Sequence, residues 1–236
     1  MDVYYVRHGE STNNNGDTHD PDPALTGVGH AQASHAAAAL EGVRATGLYC
    51  SPLRRNLQPA RAIGEALGLT PHVVPGLCEI GGISPHDYGS GRLEERSGMS
   101  RDGIREVCPG ATLSDEITDE GWWFLRREVP DADDPAVWKH AVAGVKSVGA
   151  TLMAERNGAD DVTVVVGHGA SGWLFFETFL GIEPTVGQQR FGLDNCSISL
   201  FRMRDHGIRL AYSNRVAHLP LELQESERAK LRASAG

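Results

Sequence analysis

The stretch Asp161 to Val166, which reads DVTVVV, constrains the fold of this chain more than any other. It is β-branched almost throughout, and such stiff side chains suit a pleated, packed surface rather than a helix. The pattern on either side sharpens this reading. Strands are predicted at 2–6 (DVYYV), 47–50 (GLYC), 73–74, 196–202 (CSISLFR) and 207–212 (GIRLAY), and helices at 28–41, 53–67, 136–156 and 172–180. Strands that alternate with helices imply a mostly parallel sheet covered on both faces. The expected architecture is an α/β fold, a three-layer α/β/α sandwich with a mostly parallel central sheet. Sites in such folds lie at the carboxyl ends of the strands.

The stretch from about 80 to 135 leaves this rhythm, carrying glycines, charges, Met99 and the pair Trp122-Trp123 without a strong strand. It reads as an inserted lid on one domain spanning 1–236. The tail after Leu221 reads as a short helix or frayed end. At 236 residues, 40% hydrophobic and 22% charged, the chain can build a sizeable core. A formal charge of -9 argues against coating nucleic acid, which requires many Lys and Arg against phosphates. A small anion can still bind if a few arginines converge in one cleft. No apolar run nears the roughly 20 residues that span a bilayer, and the first residues lack a signal-peptide layout. A cytoplasmic protein that binds neither membrane nor nucleic acid is expected, with self-association into a homo-oligomer left open. Cys50, Cys78, Cys108 and Cys196 lie far apart with no CxxC pair, so neither a zinc site nor a disulfide framework is indicated.

Two histidines stand apart from the other eight. His8-Gly9 and His168-Gly169 each follow a predicted strand, so a parallel sheet would bring them to one edge. Arg7 stands beside the first, and Ser51-Pro52-Leu53-Arg54-Arg55 opens a helix after another strand. Two arginines, two histidines, small glycines and a helix N-terminus suit a tetrahedral dianion, because guanidinium forks and backbone N–H groups both address phosphate oxygens. The run Gly167-His168-Gly169-Ala170-Ser171-Gly172 also satisfies GxGxxG literally. A dinucleotide site would need a carboxylate about 20 positions on, where this chain reads Gly187-Gln188-Gln189-Arg190. A nucleophile elbow at Ser171 would need glycine at 173, where Trp173 stands.

In order along the chain, four blocks resemble the histidine phosphatase superfamily, which includes the cofactor-dependent phosphoglycerate mutases. They are Arg7-His8-Gly9-Glu10-Ser11-Thr12 with Asn13-Asn14, Leu25-Thr26-Gly27-Val28-Gly29, Ser51-Pro52-Leu53-Arg54-Arg55, and Val164-Val165-Val166-Gly167-His168-Gly169. Asn195-Cys196-Ser197-Ile198 is similar to the closing strand of that family. The resemblance implies that His8 attacks phosphorus and becomes a phosphohistidine, which requires a neutral imidazole. It implies that Arg7 and Arg55 hold the phosphoryl oxygens while His168 donates a hydrogen bond to the same group. Asn14 and the backbone around Gly169 and Ala170 would complete the cradle. Glu79, in Leu77-Cys78-Glu79-Ile80, matches the position of the family's proton donor, and a carboxyl set against phosphate suits a general acid. No metal and no cofactor is implied, since arginines and histidines supply the positive field.

The chain also departs from the family pattern. The segment after Glu79 reads Ile80-Gly81-Gly82-Ile83, Asn13 stands where a tryptophan is usual, and no long basic cofactor-binding segment is recognisable. Metal-independent hydrolysis of a small phosphorylated metabolite is therefore the expected activity. Mutase-type phosphoryl transfer and a catalytically silent phosphate-binding protein are the alternatives. Trp122-Trp123-Phe124 are expected to anchor the inserted stretch or touch substrate. Arg92, Arg96, Arg101 and Arg105 are expected on a solvated face.

Overall fold

The computed structural model describes residues 1–13, 20–83, 96–125, 135–155, 161–185 and 188–224. Seven strands form one sheet: β1 (Asp2–Arg7), β2 (Gly47–Cys50), β3 (His72–Val73), β4 (Thr112–Leu113), β5 (Val162–Gly167), β6 (Ile198–Arg204) and β7 (Gly207–Arg215). Their order across the sheet is β4-β3-β2-β5-β1-β6-β7. Pairing is parallel from β4 through β1, while β6 runs antiparallel to both β1 and β7. The DVTVVV run is β5, at the centre, and Thr163 to Gly167 are buried without interruption.

Among the described residues, the helices that connect and cover the sheet are α1 (Gly27–Leu40), α2 (Arg54–Leu67), α3 (Arg101–Val107), α4 (Pro135–Glu155) and α5 (Ala170–Leu180). α1 packs with α2 and α4 with α5, giving the outer layers of the α/β/α sandwich. Thr26 starts α1 by accepting the Gly29 N–H at 3.0 Å, a side-chain N-cap. α2 and α5 both stop at a glycine in the left-handed region, Gly68 at φ 65° and Gly181 at φ 69°, a conformation that costs a Cβ-bearing residue more. On β1, Tyr5 meets the α5 rings of Phe175 and Phe176 at 5.2 and 5.5 Å, so sheet and helix layer share one aromatic cluster with Phe201.

The 80–135 stretch holds a strand that periodicity does not reveal. β4 is only two residues long, pairs with β3, and extends the sheet past its predicted edge. Residues 84–95 and 126–134 of that stretch lie outside the described residues, as does the tail from 225 onward. Among the described residues, no helix is long and apolar enough to cross a membrane.

Candidate active site

Strand register brings the two histidines together. β1 and β5 pair with Val6 opposite Val166 and Arg7 opposite Gly167, so the residues that follow, His8 and His168, emerge side by side. The pairing continues one step further, with the His8 N–H donating to the Gly167 carbonyl at 2.9 Å. The two rings lie 5.2 Å apart, centroid to centroid, in an edge-on arrangement, and both residues are buried.

The His8 turn is built mostly from backbone. Glu10 accepts the Thr26 N–H, and its carboxylate accepts the Thr26 hydroxyl at 2.8 Å. Thr26 thereby ties the start of α1 to the turn, and the backbones touch: a Cβ on Gly9 would fall 2.6 Å from the Gly29 oxygen. On the other side the Cys196 N–H is shared between the Arg7 and His8 carbonyls at 3.1 Å each, and Asn195 Nδ2 donates to the His8 carbonyl at 3.0 Å. His8 Nδ1 lies 2.7 Å from the Gly9 carbonyl, which can only accept, so the proton sits on Nδ1 and the lone pair on Nε2. Burial, then the charges of Arg55 and Arg7, hold the His8 pKa well below its ordinary value, leaving a neutral imidazole.

His168 has different partners. Its Nε2 lies 2.8 Å from the Ser51 hydroxyl, while its buried Nδ1 has no hydrogen-bond partner among the described residues. Burial, then Arg55, His8 and Arg7, push its pKa well down as well. Asn56, buried on the first turn of α2, donates to the Gly167 carbonyl at 2.7 Å and secures the strand end that carries His168.

Arg55 is the arginine from Ser51-Pro52-Leu53-Arg54-Arg55 whose charge acts on both histidines. Arg54 is turned by one helical step, and its backbone N–H donates to Asp22 at 2.8 Å. Desolvation lowers the Arg55 pKa, opposed by the charges of Glu79 and Asp22. Arg7 reaches the other way, donating from its guanidinium to the Leu193 carbonyl.

Glu79 follows the turn at Pro75–Leu77 and docks on the start of α5. Its Oε1 accepts the Ser171 N–H at 2.8 Å and the Ile80 N–H at 3.0 Å, and its Oε2 accepts the Ala170 N–H at 3.3 Å. The carboxylate thus occupies the positive end of that helix. Gly169 lies against Arg7: a Cβ there would meet Arg7 Nε at 3.5 Å. Asn14 lies outside the described residues, as does Arg92.

In the 96–125 stretch, Trp122 and Phe124 are buried, and a Cβ on Gly82 would strike Phe124 at 2.4 Å, so this segment packs directly beside the Glu79 turn. Arg101 donates to the Ile117 carbonyl and Arg105 lies 3.5 Å from Asp102 on the exposed face of α3. Two open cavities lie elsewhere. One, of about 430 Å³, is lined by Arg202, Arg204 and Arg209 at the far end of β1 from His8. There Arg204 and Arg202 are turned onto Asp2 at 2.8 and 3.8 Å. The other, of about 400 Å³, lies by His72 and Glu116.

The sequence profile of the histidine phosphatase superfamily (branch 1) matches residues 3–85 and 100–216. The chain belongs to this superfamily. Solved structures agree in fold. The mycobacterial glucosyl-3-phosphoglycerate phosphatase Rv2419c with VO3 superposes with a TM-score of 0.60 at 22% identity, covering 90% of this chain and 98% of that one. The alpha-ribazole phosphatase of Shigella flexneri gives 0.59 at 18% identity, covering 91% and 96%. A phosphoserine phosphatase mutant of Entamoeba histolytica with phosphoserine gives 0.59 at 22%, covering 93% and 99%. The PE-PGRS family protein PE_PGRS11 of Mycobacterium tuberculosis is 42% identical over 83 residues, 33% of this chain and 14% of that much longer protein. Membership of a superfamily of phosphatases supports a hydrolase in general terms.

Within this histidine phosphatase fold, sequence reading passed over Ser51, Asn56, Asn195 and Tyr5. Ser51 carried a signal, since it opens the block that delivers Arg55. The hydroxyl reaches His168 only because the Ser51 N–H pairs with the Val166 carbonyl at 3.2 Å, a cross-strand relation that spacing does not encode.

Proposed function

We propose that the protein is a metal-independent phosphomonoesterase that hydrolyses a small phosphorylated metabolite through a phosphohistidine on His8. The supporting observation is the pair of buried, neutral imidazoles 5.2 Å apart within the field of Arg7 and Arg55. His8 Nε2 donates its lone pair to phosphorus, forming an N–P bond as the P–O ester bond breaks. Arg7 and Arg55 hold the phosphoryl oxygens and stabilise charge as it develops. His168 Nδ1, the ring nitrogen without a partner, donates to one of those oxygens. The Glu79 carboxyl gives its proton to the leaving alkoxide, and then takes one from the water that cleaves the N–P bond and releases inorganic phosphate. Glu79 Oε1 accepts two backbone N–H groups while Oε2 accepts one, from Ala170 at 3.3 Å, so Oε2 keeps a lone pair for the transferred proton. Gly169 and Ala170 complete the cradle in this reading, with Asn14 assigned to it from its motif, and Phe124, packed against Gly82 beside the Glu79 turn, borders the leaving-group side. The substrate is small and free in the cytoplasm, with no nucleic acid or membrane partner.

The test is hydrolysis of a generic aryl phosphate in EDTA by the wild type and by His8→Ala. Activity should survive the chelator and fall at least about a thousandfold in the variant. Loss of activity in EDTA, or an active His8→Ala protein, overturns the mechanism.

A further inference from the structure

Tyr5 is a tyrosine on the interior strand β1, two positions before Arg7, and only 1% exposed. A phenol that deep needs a partner for its hydroxyl. It donates to the backbone carbonyl of His168 at 3.0 Å. That carbonyl lies one residue ahead of the Gly169 cap of α5, outside the helical ladder, and the phenol supplies it with a donor.

The glycines around His168 are shaped to this phenol. A Cβ on Gly167 would fall 2.1 Å from the Tyr5 hydroxyl oxygen, and one on Gly172 would fall 2.8 Å from it and 2.7 Å from Leu193 Cδ1. Neither position accepts a side chain while Tyr5 keeps its place. Gly169 differs, since a Cβ there meets only Arg7 Nε at an ordinary 3.5 Å. Two of the three glycines of the GxGxxG spacing thus have a packing reason: Gly167 makes room for the Tyr5 phenol, and Gly172 for the phenol and Leu193 together. Burial and the charge of Glu79 raise the Tyr5 pKa, so the phenol stays protonated and acts as a donor. Phe175 and Phe176 fix the ring from the α5 side.

We propose that Tyr5 is a positioning residue that sets the orientation of the His168 imidazole through the His168 carbonyl, in a slot created by Gly167 and Gly172. This rests on the phosphatase reading for its kinetic consequence, though not for its geometry. The hydroxyl fixes the peptide plane on one side of the His168 Cα, while Ser51 fixes the ring on the other.

The experiment is a double-mutant cycle on the full chain with aryl phosphate, combined with imidazole NMR. Tyr5→Phe keeps the ring and removes only the hydroxyl, so folding is checked simply by its melting temperature. It should lower kcat about tenfold with KM within about twofold. In a His168→Ala background the same change should cost less than about twofold, because the residue it acts through is gone. Equal losses in both backgrounds, or no loss in the first, overturn the assignment. In the NMR arm the His168 ring signal, identified by its absence in His168→Ala, should move in Tyr5→Phe while those of His72 and His140 stay. An unmoved His168 signal overturns the assignment even in a protein without phosphatase activity, whereas inactivity of the wild type overturns the phosphatase reading alone.

Discussion

His8 and His168 leave neighbouring strands in the same way and are each followed by glycine, yet they are held by different means. The His8 ring is locked by its own turn, through the Gly9 carbonyl at 2.7 Å, and the turn is pressed against the backbone of α1. The His168 ring is locked by side chains from elsewhere in the chain: Ser51 on the ring, Tyr5 on the carbonyl, and Asn56 on the preceding residue. Asn195 and the Glu10–Thr26 pair support the His8 turn, but the ring itself is held by a backbone carbonyl, which no substitution of a partner side chain removes. The second histidine sits where single substitutions can retune it.

The largest effect that would break this comparison is expected from the two following glycines. Gly9→Ala drives a Cβ to 2.6 Å from the Gly29 oxygen, a collision of backbone with backbone, and should cost about 2–3 kcal/mol in urea unfolding. Gly169→Ala meets only an ordinary contact and should stay within about 0.5 kcal/mol. Equal costs would mean that both turns are built alike. Next comes Ser51→Ala, which leaves His168 Nε2 buried without its partner and should lower kcat about tenfold in steady-state assays. An unchanged kcat would show that the ring is held by packing alone.

A smaller effect follows from the electrostatics common to both rings. Both folded-state pKa values lie below 6.5, so under acid conditions the unfolded chain binds protons that the folded chain refuses. Stability from these groups is complete above about pH 6.5 and declines as pH falls below it towards the folded values, a trend that thermal melts between pH 7.5 and 5 would show. Because the Arg55 charge depresses both, Arg55→Gln should move the acid limb of kcat/KM up towards 6.5. The smallest effect is at sulfur. Burial pushes Cys196 up to about 12 and Cys108 up to about 11, and raises Cys50 and Cys78, so iodoacetamide at neutral pH should leave the native thiols essentially unmodified by mass spectrometry.

How much of this was legible in the sequence depended on whether the signal was local. β1 and β5 were predicted at 2–6 and 161–166 and span 2–7 and 162–167, because runs of buried β-branched and aromatic residues have few other uses. β4 was missed because two residues hold no period, and its pairing to β3 supplies the stability that its composition lacks. The predicted start of α5 at 172 came two residues late. Its first turn is capped by Glu79 from 91 positions earlier, a contact that no local pattern announces. Spacing from Ser51 favoured Arg55 over Arg54, and it is the Arg55 charge that acts on both histidines.

Sequence by itself determined the strand and helix alternation, the two histidines at strand ends, and the family, since each is written in residues a few positions apart. The tertiary structure alone decided what surrounds them: Ser51 on His168, Glu79 on the α5 terminus, and Tyr5 in the slot between Gly167 and Gly172. Those relations depend on parallel register and helix packing, which bring distant residues within 3 Å of each other, and distance in space leaves no period in the chain. The glycines of Gly167 to Gly172 show the difference most plainly. Their spacing matches a nucleotide loop, yet the space at Gly167 is taken by a phenol from the first strand and that at Gly172 by the same phenol and Leu193.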